Sequence, residues 1–310
     1  MTTPSDASVD SVALTQPPGG DLPVPSQTPM FRALHAARYQ RQEQIRAIEG
    51  HTGRRLICYV SGSAATVNRD DIPPLYDLLQ NVREGDHLDL MLHTMGGDVD
   101  AAERIVLLLY KTIGRDGELR VVVPDSAKSA GTLIAVAGDT IVMGPPSELG
   151  PIDPQVIVST TNGEQLSRPA QSYLDGLNHI IEQTKDIELP TAYVPLLGKF
   201  DPALIDVCRK ALNRSQKFAE RFLAERMLRN ESDKITLVAG RLNDNKQYLS
   251  HGAVINCDEA VDIGLKVTYL SSEDPLWQSY WRLYCHMKVA LQSPYDKLFE
   301  SNFGSLQLTK

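Results

Sequence analysis

The chain is short of cysteine, of long apolar runs and of concentrated positive charge. Its four cysteines, Cys58, Cys208, Cys257 and Cys285, are scattered through 310 residues with no C-x-x-C pair. That argues against both a disulfide framework and a zinc knuckle, and it fits a reducing compartment, so the expected location is cytoplasmic. No stretch reaches the roughly 20 apolar residues that a membrane span needs. Asp6 and Asp10 lie where a secretory leader would be basic and then apolar. The net charge is −8 and no dense Lys/Arg block offsets it, which speaks against nucleic acid as a partner. There is no G-x-x-x-x-G-K-[ST] phosphate loop, no solenoid-type repeat, and no motif that calls for a cofactor or metal.

What is present suffices for one sizeable core. Apolar residues make up 42% and charged residues 23% of the chain, as in ordinary globular domains. Residues 1–28, rich in Ser, Thr, Pro and Gly, read as a disordered tail. Residues 29–270 read as one α/β domain, and residues 271–310, which hold both tryptophans, as a C-terminal helical extension frayed after Gly304. A helix is expected over Phe31–Glu49. Within the domain, short β-branched runs at Arg55–Val60, His87–Leu92, Arg120–Val123 and Gly138–Met143 alternate with helical patterns at Asp70–Leu79 and Asp100–Lys111. That alternation is the signature of a parallel sheet. Four prolines and a glycine exclude helix from Pro145–Gln155. Helical periodicity returns over Ser167–Thr184, Ala203–Asn230, Ser232–Leu242 and Asp258–Gly264.

One stretch stands out, Ala127–Asp139. The strand Arg120–Val123 is broken by Pro124 and Asp125. The small residues Ser129, Ala130 and Gly131 follow, and then an apolar helix. A serine at such a turn sits at a helix N-terminus, where free N–H groups favour developing negative charge. Two readings fit Ser129 equally on this ground, a helix cap or the nucleophile of an acyl-transfer enzyme. His93-Thr94-Met95-Gly96-Gly97-Asp98 forms a second strand-to-helix loop, whose paired glycines permit close backbone approach.

These two loops resemble those of the serine dehydrogenase proteinase family, together with Ser147–Gln155, Tyr248–Gly252 and Ala260–Val267. That family belongs to the Clp-protease and crotonase-like fold, along with signal peptide peptidase A. The resemblance covers about Phe31 to Leu270. It implies a fold of repeated strand–strand–helix units, here with N- and C-terminal helical extensions, and a tendency to form homo-oligomers. It also implies serine peptidase activity on peptide or unfolded-protein substrates, with any unfolding power left to a separate partner. Carried over residue by residue, Ser129 is the nucleophile, and the Gly97 and Ala130 N–H groups face the oxyanion.

The general base does not carry over from Clp subunits, because Ser147–Gln155 has no histidine where they carry one. Signal peptide peptidases use a lysine instead, and a lysine serves when burial populates its neutral amine. Lys199, in Leu197-Gly198-Lys199-Phe200-Asp201-Pro202 ahead of a long helix, is the favoured candidate and His251 its rival. Lys185 and Lys210 read as surface charges. Lys128, next to the serine, suits an ion pair or substrate contact, Asp153 and Glu148 loop capping or orientation of a base, and His93 a structural role. A crotonase-like acyl-CoA enzyme and an inactive oligomeric scaffold of the same fold are the competing functions.

Overall fold

A computed structural model describes residues 28–159, 162–185, 193–244, 248 and 250–309. The tail read from residues 1–28 lies outside them except for Thr28. The chain divides into two compact units, Met1–Ala36 and Ala37–Lys310. In the first, helix α1 (Pro29–Leu34) starts with proline in its first turn, and the Thr28 hydroxyl accepts the Phe31 N–H at 3.3 Å. Helix α2 (Ala36–Thr52) leads into the second unit.

That unit is built on alternating strands and helices. In order they are β1 (Arg55–Ser61), α3 (Ile72–Leu79), β2 (Leu88–His93), α4 (Val99–Ile113), β3 (Leu119–Val123), β4 (Ser126–Ala127), α5 (Ala130–Val136), β5 (Thr140–Met143) and β6 (Glu148–Leu149). A hairpin of β7 (Gln155–Ser159) and β8 (Gln165–Pro169) follows. After it come α6 (Ala170–Thr184), α7 (Val194–Leu197), α8 (Pro202–Glu225) and α9 (Ile235–Leu242). The chain closes with α10 (Cys257–Ile263), β9 (Val267–Tyr269), α11 (Pro275–Ala290), β10 (Lys297–Glu300) and β11 (Ser305–Leu308). Seven strands form one sheet in the order β11-β10-β1-β2-β3-β5-β9. β1, β2, β3, β5 and β9 run parallel, and β10 and β11 pair antiparallel at one edge.

The sheet is covered on both faces, which is why its strands read as continuous apolar runs rather than alternations. Along β1, Leu56, Cys58 and Val60 pack with Ile45 and Ile48 of α2 and with Tyr280 and Met287 of α11. Ile57 and Tyr59 face the other way, into the larger core with α3, α4 and α5. The α/β fold of strand and helix units is therefore as the sequence implies, and the helix of the C-terminal extension is present.

Two segments differ from the sequence reading. The residues after α11, expected as helical extension up to Gly304 and frayed beyond it, contribute β10 and β11 to the main sheet. Their charges disguise them. Lys297 is buried against Asp71 at 2.5 Å, and Glu300 takes a bidentate contact from the buried Arg41 at 2.6 and 2.8 Å. The second difference is the β7–β8 hairpin. Ser167, read as helical, lies in β8, and α6 starts at Ala170. The β-branched run Val156-Ile157-Val158 prefers strand, and its partner is the polar stretch Gln165–Pro169, in which no apolar alternation announces a strand.

Candidate active site

A row of short pairings lies beyond the C-terminal ends of β2 and β3. Val67 bridges Gly97, Thr94 bridges Ala127, β4 pairs with β6, and Leu149 bridges Ile255. Four loops distant in sequence are thereby laid side by side: the Gly-Gly loop, the serine loop, the proline-rich loop and the segment after His251. Glycine is required in the first. A Cβ on Gly96, at φ +101°, would lie 2.8 Å from the Ser129 Cβ. One on Gly97, at φ +148°, would lie 2.4 Å from the Val67 carbonyl oxygen.

Ser129 stands at the head of α5 with φ 50° and ψ −114°. Among the described residues it is the one non-glycine at positive φ, a conformation that costs of order 1–3 kcal/mol and collects at functional sites. Its hydroxyl makes no capping hydrogen bond, so the helix-cap reading loses its physical basis. The first turn instead closes through the Gly131 N–H on the Lys128 carbonyl at 2.7 Å and the Leu133 N–H on the Ser129 carbonyl at 3.1 Å. The Ala130 N–H takes part in neither bond. At the neighbouring loop, the bridge to Val67 uses the Gly96 carbonyl (2.7 Å) and the Asp98 N–H (2.8 Å), which leaves the Gly97 N–H out of the pairing.

The residues around Ser129 are tied by side chains. Thr132, fully buried, donates to the Ala127 carbonyl at 2.7 Å or the Gly150 carbonyl at 2.9 Å and accepts the Gly150 N–H at 3.0 Å. Lys128 is 5% exposed, and its amine lies 3.0 Å from each of the Leu149 carbonyl, the Ala253 carbonyl and Glu148 Oε1. Sequence reasoning missed Thr132 and the backbone contacts of Lys128. The visible signal was a lone lysine in an otherwise small and apolar segment, where it must find partners to be buried.

His251 and Asp153 come together. The His251 Nδ1 lies 2.8 Å from Asp153 Oδ1, with the carboxylate 1% exposed and the imidazole part-buried. The Ile152 backbone that precedes Asp153 is anchored by its N–H on the Leu242 carbonyl (2.9 Å) and by the Ser215 hydroxyl on its own carbonyl (2.6 Å). Lys199 sits elsewhere, exposed at the mouth of an apolar cavity formed by the β7–β8 hairpin and α6, whose lining includes none of Ser129, Ala130 or Gly97. Lys185 and Lys210 are exposed and paired with Glu182 (2.5 Å) and Asp206 (2.6 Å).

A model of the ClpP-like SDH-type serine proteinases matches residues 77–274, which include the serine loop, the Gly-Gly loop and His251. The chain belongs to this family. Two uncharacterized proteins of Methanocaldococcus jannaschii are similar to this chain. One is 32% identical over 184 residues, 58% of this chain and 53% of its own length. The other is 27% identical over 197 residues, 60% and 59% of the two chains. The chain thus spans little more than half the length of these curated relatives. Among solved structures, an alanine mutant of a membrane-bound stomatin-specific protease is 17% identical, covers 73% of this chain and 84% of its own, and has a TM-score of 0.42. A second mutant of that protease, in complex with a substrate peptide, is also 17% identical, covers 73% and 97%, and has a TM-score of 0.35. Among the described residues of the chain, no helix is long and apolar enough to cross a membrane.

Behind the Gly-Gly loop lies a largely buried polar cluster that joins it to α11. His93 accepts the Ser126 N–H on Nδ1 at 3.2 Å, and its Nε2 lies 3.2 Å from the Lys288 amine. Tyr284 donates to Asp125. Burial and the neighbouring Lys288 charge push the His93 pKa down to about 4, against the pull of Asp125. Burial also lowers Lys288. Because the folded value of His93 lies below its unfolded value of 6.5, the unfolded chain binds more protons between the two. The stability that His93 contributes is therefore complete above pH 6.5 and falls as pH drops toward about 4. His93→Gln, which keeps an acceptor for Ser126, is expected to flatten this part of the melting-temperature profile relative to wild type. Parallel profiles would show that His93 does not carry the effect.

Proposed function

We propose that the chain hydrolyses peptide bonds through an acyl-enzyme on Ser129, with His251 as the general base and Asp153 orienting it. The observation that carries this reading is the strained, uncapped Ser129 at a helix N-terminus. Such strain is retained where the surrounding structure holds a residue for use rather than for stability. Nδ1 of His251 faces Asp153, so Nε2 is the nitrogen free to take the serine proton. Oγ attacks the scissile carbonyl carbon, and the oxyanion that forms is met by the Gly97 and Ala130 N–H groups. The imidazolium then returns the proton to the leaving amine, and water, deprotonated by the same imidazole, releases the acyl group. Substrates are extended segments, because exposed Gly97 leaves room for a main chain beside the loop. The working unit is the domain of residues 29–270, completed at one sheet edge by the C-terminal strands, in a homo-oligomer that receives unfolded chains from a separate partner.

The family resemblance points to a lysine base, and Lys199 is its candidate. His251 is better supported by geometry. It has a buried carboxylate partner, and it lies two residues before Ala253, whose carbonyl contacts the side chain next to Ser129. A fluorophosphonate probe tests both assignments. Wild type should label, and His251→Ala should label at least 100-fold more slowly while Lys199→Ala labels at the wild-type rate. The opposite pattern makes Lys199 the base, and failure of folded wild type to label overturns the peptidase reading.

A further inference from the structure

The cavity between the β7–β8 hairpin and α6 is about 440 Å³, a volume that suits a small ligand. Its walls are aliphatic and aromatic. Val158 and Leu166 sit directly opposite each other across the hairpin and so share a face. Ile180 of α6, Leu196 of α7 and Phe200 close the space. Tyr173 also lines it, but its hydroxyl is taken by the Asp201 N–H at 2.9 Å. The gap in the α6 wall is Gly176, where an added Cβ would meet only the Phe200 ring, at 3.8 Å. Glycine within a helix costs roughly 1 kcal/mol relative to alanine, and here the missing side chain leaves space beside the Phe200 ring that a large residue would take up.

The mouth is cationic. Arg168, two residues beyond Leu166 on the same strand face, and Lys199 both line the cavity and are exposed. Among the described residues neither has a carboxylate partner, in a chain whose net charge is −8. An apolar chamber with two cations at its mouth, neither paired among the described residues, matches an apolar ligand carrying one anionic end. Apart from those cations and the Tyr173 hydroxyl, the polar side chain of the lining is Ser172. A peptide inserted here would leave most of its N–H and C=O groups unpaired, at a cost that an unbranched hydrocarbon avoids.

We infer that this cavity binds an unbranched aliphatic carboxylate, its chain in the chamber and its carboxylate at Arg168 and Lys199. None of the lining residues belongs to the serine, Gly-Gly or His251 loops, so the site stands or falls independently of the peptidase assignment. Calorimetric titration of the full chain with decanoate, below its micelle concentration, should show one site per chain. Decylamine should bind at least 10-fold more weakly. Gly176→Leu, which fills the chamber with a better helix former, should weaken decanoate at least 10-fold, and Ile180→Phe on the same wall should do so if the first variant does not fold. Arg168→Gln should weaken decanoate about 5-fold and leave 1-decanol unchanged. Decanol binding as tightly as decanoate, a folded cavity-filled variant binding normally, no binding to wild type, or a leucine-terminated tetrapeptide binding more tightly than decanoate would each overturn the inference.

Discussion

Ser129→Gly is expected to make the protein more stable and to abolish its peptidase activity. The two effects have one cause. At φ 50° and ψ −114° any side chain with a Cβ is strained, and glycine adopts the same backbone freely. Removing the strain should stabilise the fold by about 1 kcal/mol, less the greater freedom that glycine gives the unfolded chain, and the melting temperature should rise by a degree or more. If Ser129 were a helix cap, exchange for glycine would instead leave stability level or lower it by a few tenths of a kcal/mol. The sign of the shift separates the two roles without any substrate. Turnover of a peptide substrate should fall by about 10⁴- to 10⁶-fold, as when the nucleophile of a serine peptidase is removed. Ser129→Ala should lose the same activity with no gain in stability, because alanine keeps the Cβ. Equal stability of the glycine and alanine variants would mean that the backbone strain is not carried by Ser129.

The parts of the site that were legible in the sequence are those fixed by local backbone chemistry. The turn at Ser129 and the paired glycines are written as small residues between a strand and a helix, and parallel alternation of strands and helices follows from β-branched runs separated by helical periodicity. The parts that were not legible depend on partners far along the chain. Asp153 reads as a loop carboxylate until His251, 98 positions away, is placed beside it. Lys128 reads as an ion pair or substrate contact, and its backbone partner at Ala253, 125 positions away, is not visible until the chain folds. β10 reads as part of the helical extension because Lys297 and Glu300 interrupt any strand-like apolar run, and only the folded chain supplies Asp71 and Arg41 to neutralise them. Lys199 drew attention through its glycine neighbour and the helix after it, a local pattern that says nothing about which side chain shares a pocket with the serine. Local signals thus single out Ser129 as the candidate nucleophile, while the choice of base is a question of tertiary distance.

Lys128 gives the second large effect, and it acts through the base. Its three amine contacts join the serine loop to Glu148, to the Leu149 carbonyl and to the Ala253 carbonyl. Lys128→Met removes all three from a site that is 5% exposed. Glu148 then loses its cation, and two carbonyls lose a donor. Breaking a buried pair in this way costs roughly 3 kcal/mol, reduced here because the Glu148 side chain is 23% exposed. The catalytic consequence is larger than the loss of stability suggests. Without the contact at Ala253, the segment that carries His251 loses its side-chain tie to the serine loop and keeps the Leu149–Ile255 bridge, and displacing the proposed base by about 1 Å costs on the order of 100-fold in rate. A double-mutant cycle isolates this route. In wild type, Lys128→Met should lower kcat about 100-fold with little change in KM. In a His251→Ala background, where there is no base left to misplace, it should lower kcat by less than 3-fold. Losses that multiply would show that Lys128 contributes by another path, such as its own charge near the oxyanion. A His251→Ala variant that retains wild-type turnover would instead remove His251 from the mechanism, and the cycle would report that failure separately.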